Sequence, residues 1–200
     1  MIKKLSKRIA DVWKETLHVS DEDEECYQYG LELTFSTLFN LGWMFLISVV
    51  MGKTWAFLIY AAVYVPMRLY AGGYHAADHF RCILFSVSSF AVCMGLSFVQ
   101  LEYIHALLIC TMISVVSLAG FSLIAPLESE NKPITNKQRK RAKRNLVVLQ
   151  IILMFFLMLS VFQGQLHEFI LLAFYAEFSV LFSVFIGFLN KRKKKKMSFT

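Results

Sequence analysis

Proline and glycine are scarce, with 3 and 9 residues in a chain of 200. That excludes a collagen-like chain and argues against a Gly/Pro-rich disordered one. Charge is sparse too: 18% of residues are charged, against about 25% in a soluble domain. The four cysteines, at 26, 82, 93 and 110, form no CxxC pair, so a zinc ribbon or thioredoxin motif is excluded. HExxH and other zincin signatures are missing. There is no internal repeat and no stretch that reads as a separate soluble domain. What abounds is apolar: 57% hydrophobic residues, 15% aromatic, 19 of them Phe. A small globule keeps much of its surface wet, so lipid is the better solvent for this composition.

A membrane crossing needs about 20 mostly apolar residues. Six runs qualify or come close: Leu33–Met51, Trp55–Met67, Ile83–Val99, Ile104–Leu127, Leu146–Phe162 and Phe169–Leu189. The second is short and is expected to end near Pro66. Six crossings place 20 of the 21 Lys and Arg residues on one side and leave Lys53 alone on the other. Basic residues near spans stay cytoplasmic, so both termini and the 68–82 stretch are expected in the cytoplasm of a cell-membrane protein. The net charge of +7 is then a topology signal, and no nucleic-acid partner is implied.

Residues 1–19 have another pattern. Ile2, Leu5, Ile9, Val12, Trp13, Thr16 and Leu17 share a helical face, with Lys3, Lys4, Lys7, Arg8, Asp11, Lys14 and Glu15 opposite. That describes an amphipathic helix lying in the membrane interface. No continuous apolar core or small-residue cleavage site marks it as a secretory signal. The expected fold is all-α: six transmembrane helices, preceded by this interfacial helix, in one membrane-embedded unit.

Chemistry concentrates between the second and third runs, in Pro66-Met67-Arg68-Leu69-Tyr70-Ala71-Gly72-Gly73-Tyr74-His75-Ala76-Ala77-Asp78-His79-Phe80-Arg81-Cys82. The Gly pair is a break signal, and a helix is expected to restart near His75 and run through Cys82. Cys82 alone among the cysteines sits beside a cation, Arg81, in a polar stretch, the setting of a reactive thiol. Cys93 and Cys110 lie in apolar runs, and Cys26 follows five acids. On a helix, 75, 79 and 82 share a face. Two functional readings follow: a Cys nucleophile with a His base, or a metal site of His75, His79, Cys82 and Asp78. The third is a polar connector resting among lipid headgroups. An ideal helix separates residues 75 and 82 by about 10.5 Å of rise. His79 is therefore closer to Cys82, and His75 reaches it only if the backbone bends near the Gly pair.

The pattern Arg68-x-x-x-Gly72-Gly73-x-His75-Ala76, with a Cys seven residues after the His, resembles the accessory gene regulator protein B (AgrB) family. These are membrane cysteine peptidases that process quorum-sensing propeptides. Pro126, followed by Asn131-Lys132-Pro133 and a basic run, is a second point of likeness. The resemblance implies Cys82 as nucleophile, His75 as its partner, and a short propeptide as substrate. It implies no metal and no cofactor. Arg68, Gly72, Gly73, Asn131, Lys132 and Pro133 are then supporting or substrate-binding residues. Asp78 and His79 lie outside the family pattern, and their supporting roles rest on their position. The Gly72 and Gly73 amides are candidate oxyanion donors.

Arg68 reads either as a substrate-orienting group or as an interfacial arginine whose head snorkels to the headgroups. Lys137–Arg144 reads either as a site for an acidic part of the propeptide or as topology signal and anionic-lipid contact. Glu177, deep in the last run, needs a partner; Gln150 is a candidate, and a substrate cavity is the alternative. The competing function is a non-catalytic membrane binding or export component for a signalling peptide. Such a protein would tolerate blocking of Cys82. A homo-oligomer is compatible with the sequence.

Overall fold

The structure is a computed structural model that describes residues 6–9, 11–12, 21–72, 79–127, 135–164 and 167–197. Among these residues it contains helices and no strand. Six long helices follow one another: α1 (Asp21–Val50), α2 (Thr54–Ala71), α3 (His79–Leu96), α4 (Tyr103–Ile124), α5 (Asn136–Gln163) and α6 (Glu168–Met197). Four contain spans long and apolar enough to cross a membrane: Gly30–Val50, Tyr103–Ile124, Asn136–Gln163 and Glu168–Arg192. Of residues 1–19, where an interfacial helix is expected, 6–9 and 11–12 are described and have helical backbone, and the rest lies outside the described residues.

α6 is the axis of the bundle and packs against α2, α3, α4 and α5. Its apolar window is 67% buried, against 18–28% in the other three spans. Most of its circumference is covered by neighbouring helices, while Phe178, Phe182 and Phe185 form an exposed apolar face, so α6 is apolar all round. α4 approaches α6 closely at Gly120, where any β-carbon would collide with the Leu181 side chain. α5 keeps the opposite balance, with Ile151, Phe155, Met158 and Phe162 about half-exposed or more. Such a continuous apolar face is out of place in water and matches lipid.

Directions follow from the cross-links. At one end Lys53, before α2, reaches Ser97 after α3 and Glu168 at the start of α6. At the other end the Leu127 amide donates to the Ala71 carbonyl (3.0 Å), Arg68 donates to Ser183, and Lys143 donates to the Ser122 carbonyl (3.0 Å). Consecutive helices therefore alternate in direction. Of the basic residues with described side chains in α2, α5 and α6, Arg68, the 137–144 group, Lys191 and Arg192 collect at this second end, opposite Lys53.

Two boundaries differ from expectation. α2 does not stop near Pro66 but continues to Ala71. Pro66 removes one backbone donor. The turn beyond it is nevertheless held, because Met67 and Ala71 are fully buried and Leu127 and Arg68 tie down its end. α5 begins at Asn136, a full ten residues before the apolar run. Cations at a helix N-terminus oppose the dipole, and a capping box offsets this. Gln138 N donates to Thr135 Oγ1 (3.3 Å) while Thr135 N donates to Gln138 Oε1 (2.9 Å), satisfying two terminal amides.

Candidate active site

The Arg68 end is built around the last turn of α2. Arg68 does not snorkel. Its Nη1 donates to the Gly72 carbonyl (2.9 Å) and to the hydroxyl of Ser183, which is fully buried on α6. It thereby caps the carbonyl end of its own helix and fixes the exit of the chain to the central helix. Cations suit a helix C-terminus.

Gly72 is required twice. Its φ of +70° and ψ of −142° lie where only glycine is comfortable. A β-carbon there would sit 2.5 Å from the Leu127 oxygen. Beside it, the Leu127 amide donates to the Ala71 carbonyl. The two stretches singled out in the sequence, Arg68–Gly72 and the segment at Pro126, thus meet here. The Gly72 amide donates to the Arg68 carbonyl (3.1 Å). It closes the helix, so in this conformation the Gly72 amide is engaged by its own helix.

Cys82 lies in helical α3, half-buried and with a free thiol. Helical geometry puts it on the face that carries Ser86, Ser89, Cys93 and Ser97. That face meets α2 and α6: the Tyr64 hydroxyl donates to Ser86 Oγ (3.1 Å), and Cys93 Sγ lies 3.2 Å from Ser179 Oγ. The Cys82 position therefore points toward the bundle. Gly73, His75, Asp78, Asn131, Lys132 and Pro133 lie outside the described residues, as does the side chain of His79. The 137–144 stretch is solvent-facing except for Ala142, which is half-buried.

Deeper in the bundle, Gln150 Nε2 donates to Glu177 Oε1 (3.0 Å). Glu177 is fully buried and is paired as the sequence suggested. Ser183, Tyr64 and Ser86 were missed. For Ser86 the signal was legible: hydroxyls and thiols at 82, 86, 89, 93 and 97 recur at helical spacing in a largely apolar run. A polar stripe of this kind marks a helix–helix contact in membranes.

Apolar helices with lipid-compatible faces, gathered round a buried axis and carrying a thiol-bearing polar junction at one end, define a multi-pass membrane protein. The chain matches the family model for accessory gene regulator B over residues 6–189, and it belongs to the AgrB family. It is similar to an AgrB-like protein of Clostridium perfringens, with 28% identity over 167 residues, 80% of this chain and 78% of that one. It is also similar to an AgrB-like protein of Listeria innocua, with 27% identity over 159 residues, 74% and 73% of the two chains. No solved structure matches it. Family membership points to a role in quorum-sensing peptide processing.

Proposed function

We propose that this protein is a membrane cysteine endopeptidase that cuts a short propeptide and promotes cyclisation of the signal within it. The observation that supports this most is the family match along nearly the whole chain, which includes the Gly-Gly-x-His motif and Cys82. In this reading six helices cross the cell membrane, and both termini and the Arg68 end are cytoplasmic.

The Cys82 thiolate attacks a peptide carbonyl carbon, forming a C–S bond. The C–N bond breaks, and the departing amine takes a proton from His75, which had accepted it from the thiol. The N-terminal portion stays on Cys82 as a thioester. An internal Cys or Ser of the substrate, giving its proton to His75, then attacks that carbonyl, closes a thiolactone or lactone ring and expels the Cys82 thiolate, which takes the proton back from His75. Water competes with ring closure, so a site at the membrane edge is suited to the second step. Arg68 and Gly72 fix where the chain leaves α2 toward Gly73 and His75. Asp78, His79, Asn131, Lys132 and Pro133 are assigned to support of the site or of the substrate.

The covalent step is the test. A propeptide whose internal nucleophile is replaced by Ala should still acylate the enzyme. A heavier band should appear on thiol-free denaturing electrophoresis and be released by hydroxylamine. Cys82→Ala should lose the band, and Cys26→Ala should keep it. An adduct that persists in Cys82→Ala and vanishes in Cys26→Ala would reassign the nucleophile.

A further inference from the structure

Two antiparallel helices keep a fixed register: residue numbers rise along one as they fall along the other. Three contacts report the register between α2 and α3. Lys53 Nζ donates to the Ser97 carbonyl at 2.9 Å. The Tyr60 ring meets Phe90 edge-on with centroids 4.8 Å apart. The Tyr64 hydroxyl donates to Ser86 Oγ at 3.1 Å. In all three pairs the two residue numbers add up to the same total. So do those of Ala71 and His79, where the described helices end and begin. One turn beyond Tyr64 and Ser86, the pair on this line is Arg68 and Cys82.

We propose that the Tyr64–Ser86 hydrogen bond sets the register that holds Cys82 level with Arg68, and that Tyr64 and Ser86 are positioning residues for the chemistry of Cys82. The functional half of this inference rests on the peptidase reading above; the geometric half stands without it. A guanidinium at that level brings positive charge toward the thiolate and toward the oxygen that becomes negative when the carbonyl is attacked. A slip of one residue along α3 is about 1.5 Å of rise and about 100° of rotation, enough to turn Cys82 away from α2. The Tyr60–Phe90 contact resists such a slip weakly, because ring packing tolerates a range of separations and angles. The Tyr64–Ser86 bond is directional, and both residues are buried, so a slip would leave two polar groups without partners in an apolar surround. Pro66 lies in the turn between Tyr64 and Arg68 and supplies no backbone donor. That turn depends all the more on α3 and α6 for its placement.

The experiment uses the full chain in membranes. Arg68→Cys, treated with a short bis-maleimide, should be joined to Cys82, read as a cross-linked peptide by mass spectrometry. Leu69→Cys, at a position 71% exposed, should not. Adding Tyr64→Phe to Arg68→Cys should lower the cross-linking yield severalfold. In the otherwise native chain, Tyr64→Phe and Ser86→Ala should reduce kcat for propeptide cleavage roughly ten- to a hundredfold with KM little changed. Both should also slow alkylation of Cys82 by iodoacetamide. Ser86→Thr keeps the hydroxyl and should retain both properties. Equal cross-linking from positions 68 and 69, or cross-linking and alkylation untouched by Tyr64→Phe, would overturn the proposal. If cross-linking and alkylation behave as expected while Cys82→Ala still cleaves, the register stands and the peptidase reading falls.

Discussion

Both ends of the bundle are tied by a cation belonging to α2 or its leading turn, yet the two ties are built differently. Lys53 meets a carboxylate, Glu168 Oε2 at 3.0 Å, as well as the Ser97 carbonyl, and lies 4.2 Å from the centre of the Phe98 ring. Arg68 meets the Gly72 carbonyl and the Ser183 hydroxyl. The Lys53 tie includes a carboxylate, whereas the Arg68 tie runs to a backbone carbonyl and a buried hydroxyl. Glu168 is 61% exposed, but Ser183 is fully buried. The Lys53 tie therefore has the character of a surface staple. The Arg68 tie anchors the end of α2 to the central helix, at the end of the bundle where the Cys82 thiol lies. In the proposed peptidase reading, chemistry and structural closure are separated along the same helix.

The sharpest way to break this comparison is at the thiol. Cys82→Ala and His75→Ala should each abolish propeptide cleavage, a loss on the order of a thousandfold or more, while leaving the protein in the membrane. The double variant should be little worse than either single one, because groups acting as a unit are not additive. His79→Ala should keep substantial activity. If His79→Ala is dead and His75→Ala active, proximity along the helix has chosen the base instead. Cleavage assays beside membrane fractionation read all four.

Gly72 is the next largest lever. Gly72→Ala places a β-carbon against the Leu127 oxygen and forces a non-glycine residue into a disfavoured conformation, a strain of roughly 1–3 kcal/mol. The chain must respond by moving either the Ala71–Leu127 junction or the exit toward His75. Activity should fall at least tenfold, with a lower melting temperature in detergent. The equivalent change at Gly52, also at positive φ but with open space around it, should cost stability and spare activity.

These elements were unequally legible in the sequence. The apolar runs, the isolation of Lys53 and the Glu177–Gln150 pair followed from local rules: span length, charge placement and the cost of an unpaired acid in lipid. The course of α2 through Pro66 did not, since the proline penalty is local while it is offset by contacts from elsewhere in the fold, which bury Met67 and Ala71 and bring the Leu127 amide to the Ala71 carbonyl. The role of Arg68 was also hidden. Its partner Ser183 lies 115 residues away, and nothing in the spacing of either run pairs them. The Gly72 amide looked free because a Gly pair suggests an open turn, yet it closes the helix onto Arg68. Long-range registers are set by packing, and one sequence carries them only as faces, such as the hydroxyl stripe of α3.

Arg68 itself should give an intermediate effect that separates holding from charge. Arg68→Lys keeps the charge but has a shorter, non-planar head in place of the guanidinium whose Nη1 reaches both acceptors. Arg68→Met loses charge and guanidinium alike. If Arg68 merely caps α2, the two variants should lower thermal stability alike and leave kcat in proportion to the folded fraction. If its charge matters at Cys82, Arg68→Lys should retain part of the alkylation rate and of kcat, and Arg68→Met should lose at least tenfold more. Ser183→Ala removes one acceptor without touching the charge and should fall between wild type and Arg68→Lys.

The smallest effect is expected at Lys53. Lys53→Met removes the ion pair with Glu168, the bond to the Ser97 carbonyl and the contact with Phe98, but keeps an unbranched apolar stem that can still cover the ring. The Lys53 side chain is 16% exposed, while Glu168 stands largely in solvent. A partner so exposed limits an ion pair to about 0–1 kcal/mol. The carbonyl of Ser97 loses a donor and can take water at this end of the bundle. Thermal stability should therefore drop by only a few degrees, and kcat and KM should stay within about twofold of wild type. Raising salt should weaken the wild-type staple and leave Lys53→Met unaffected, so the two melting curves should converge. A large loss of cleavage in Lys53→Met, with the protein still folded, would mean that the Lys53 end communicates with the thiol through the α2–α3 register. The separation of the two ends would then have to be abandoned, because the staple at Ser97 would be setting the same line that runs to Arg68 and Cys82.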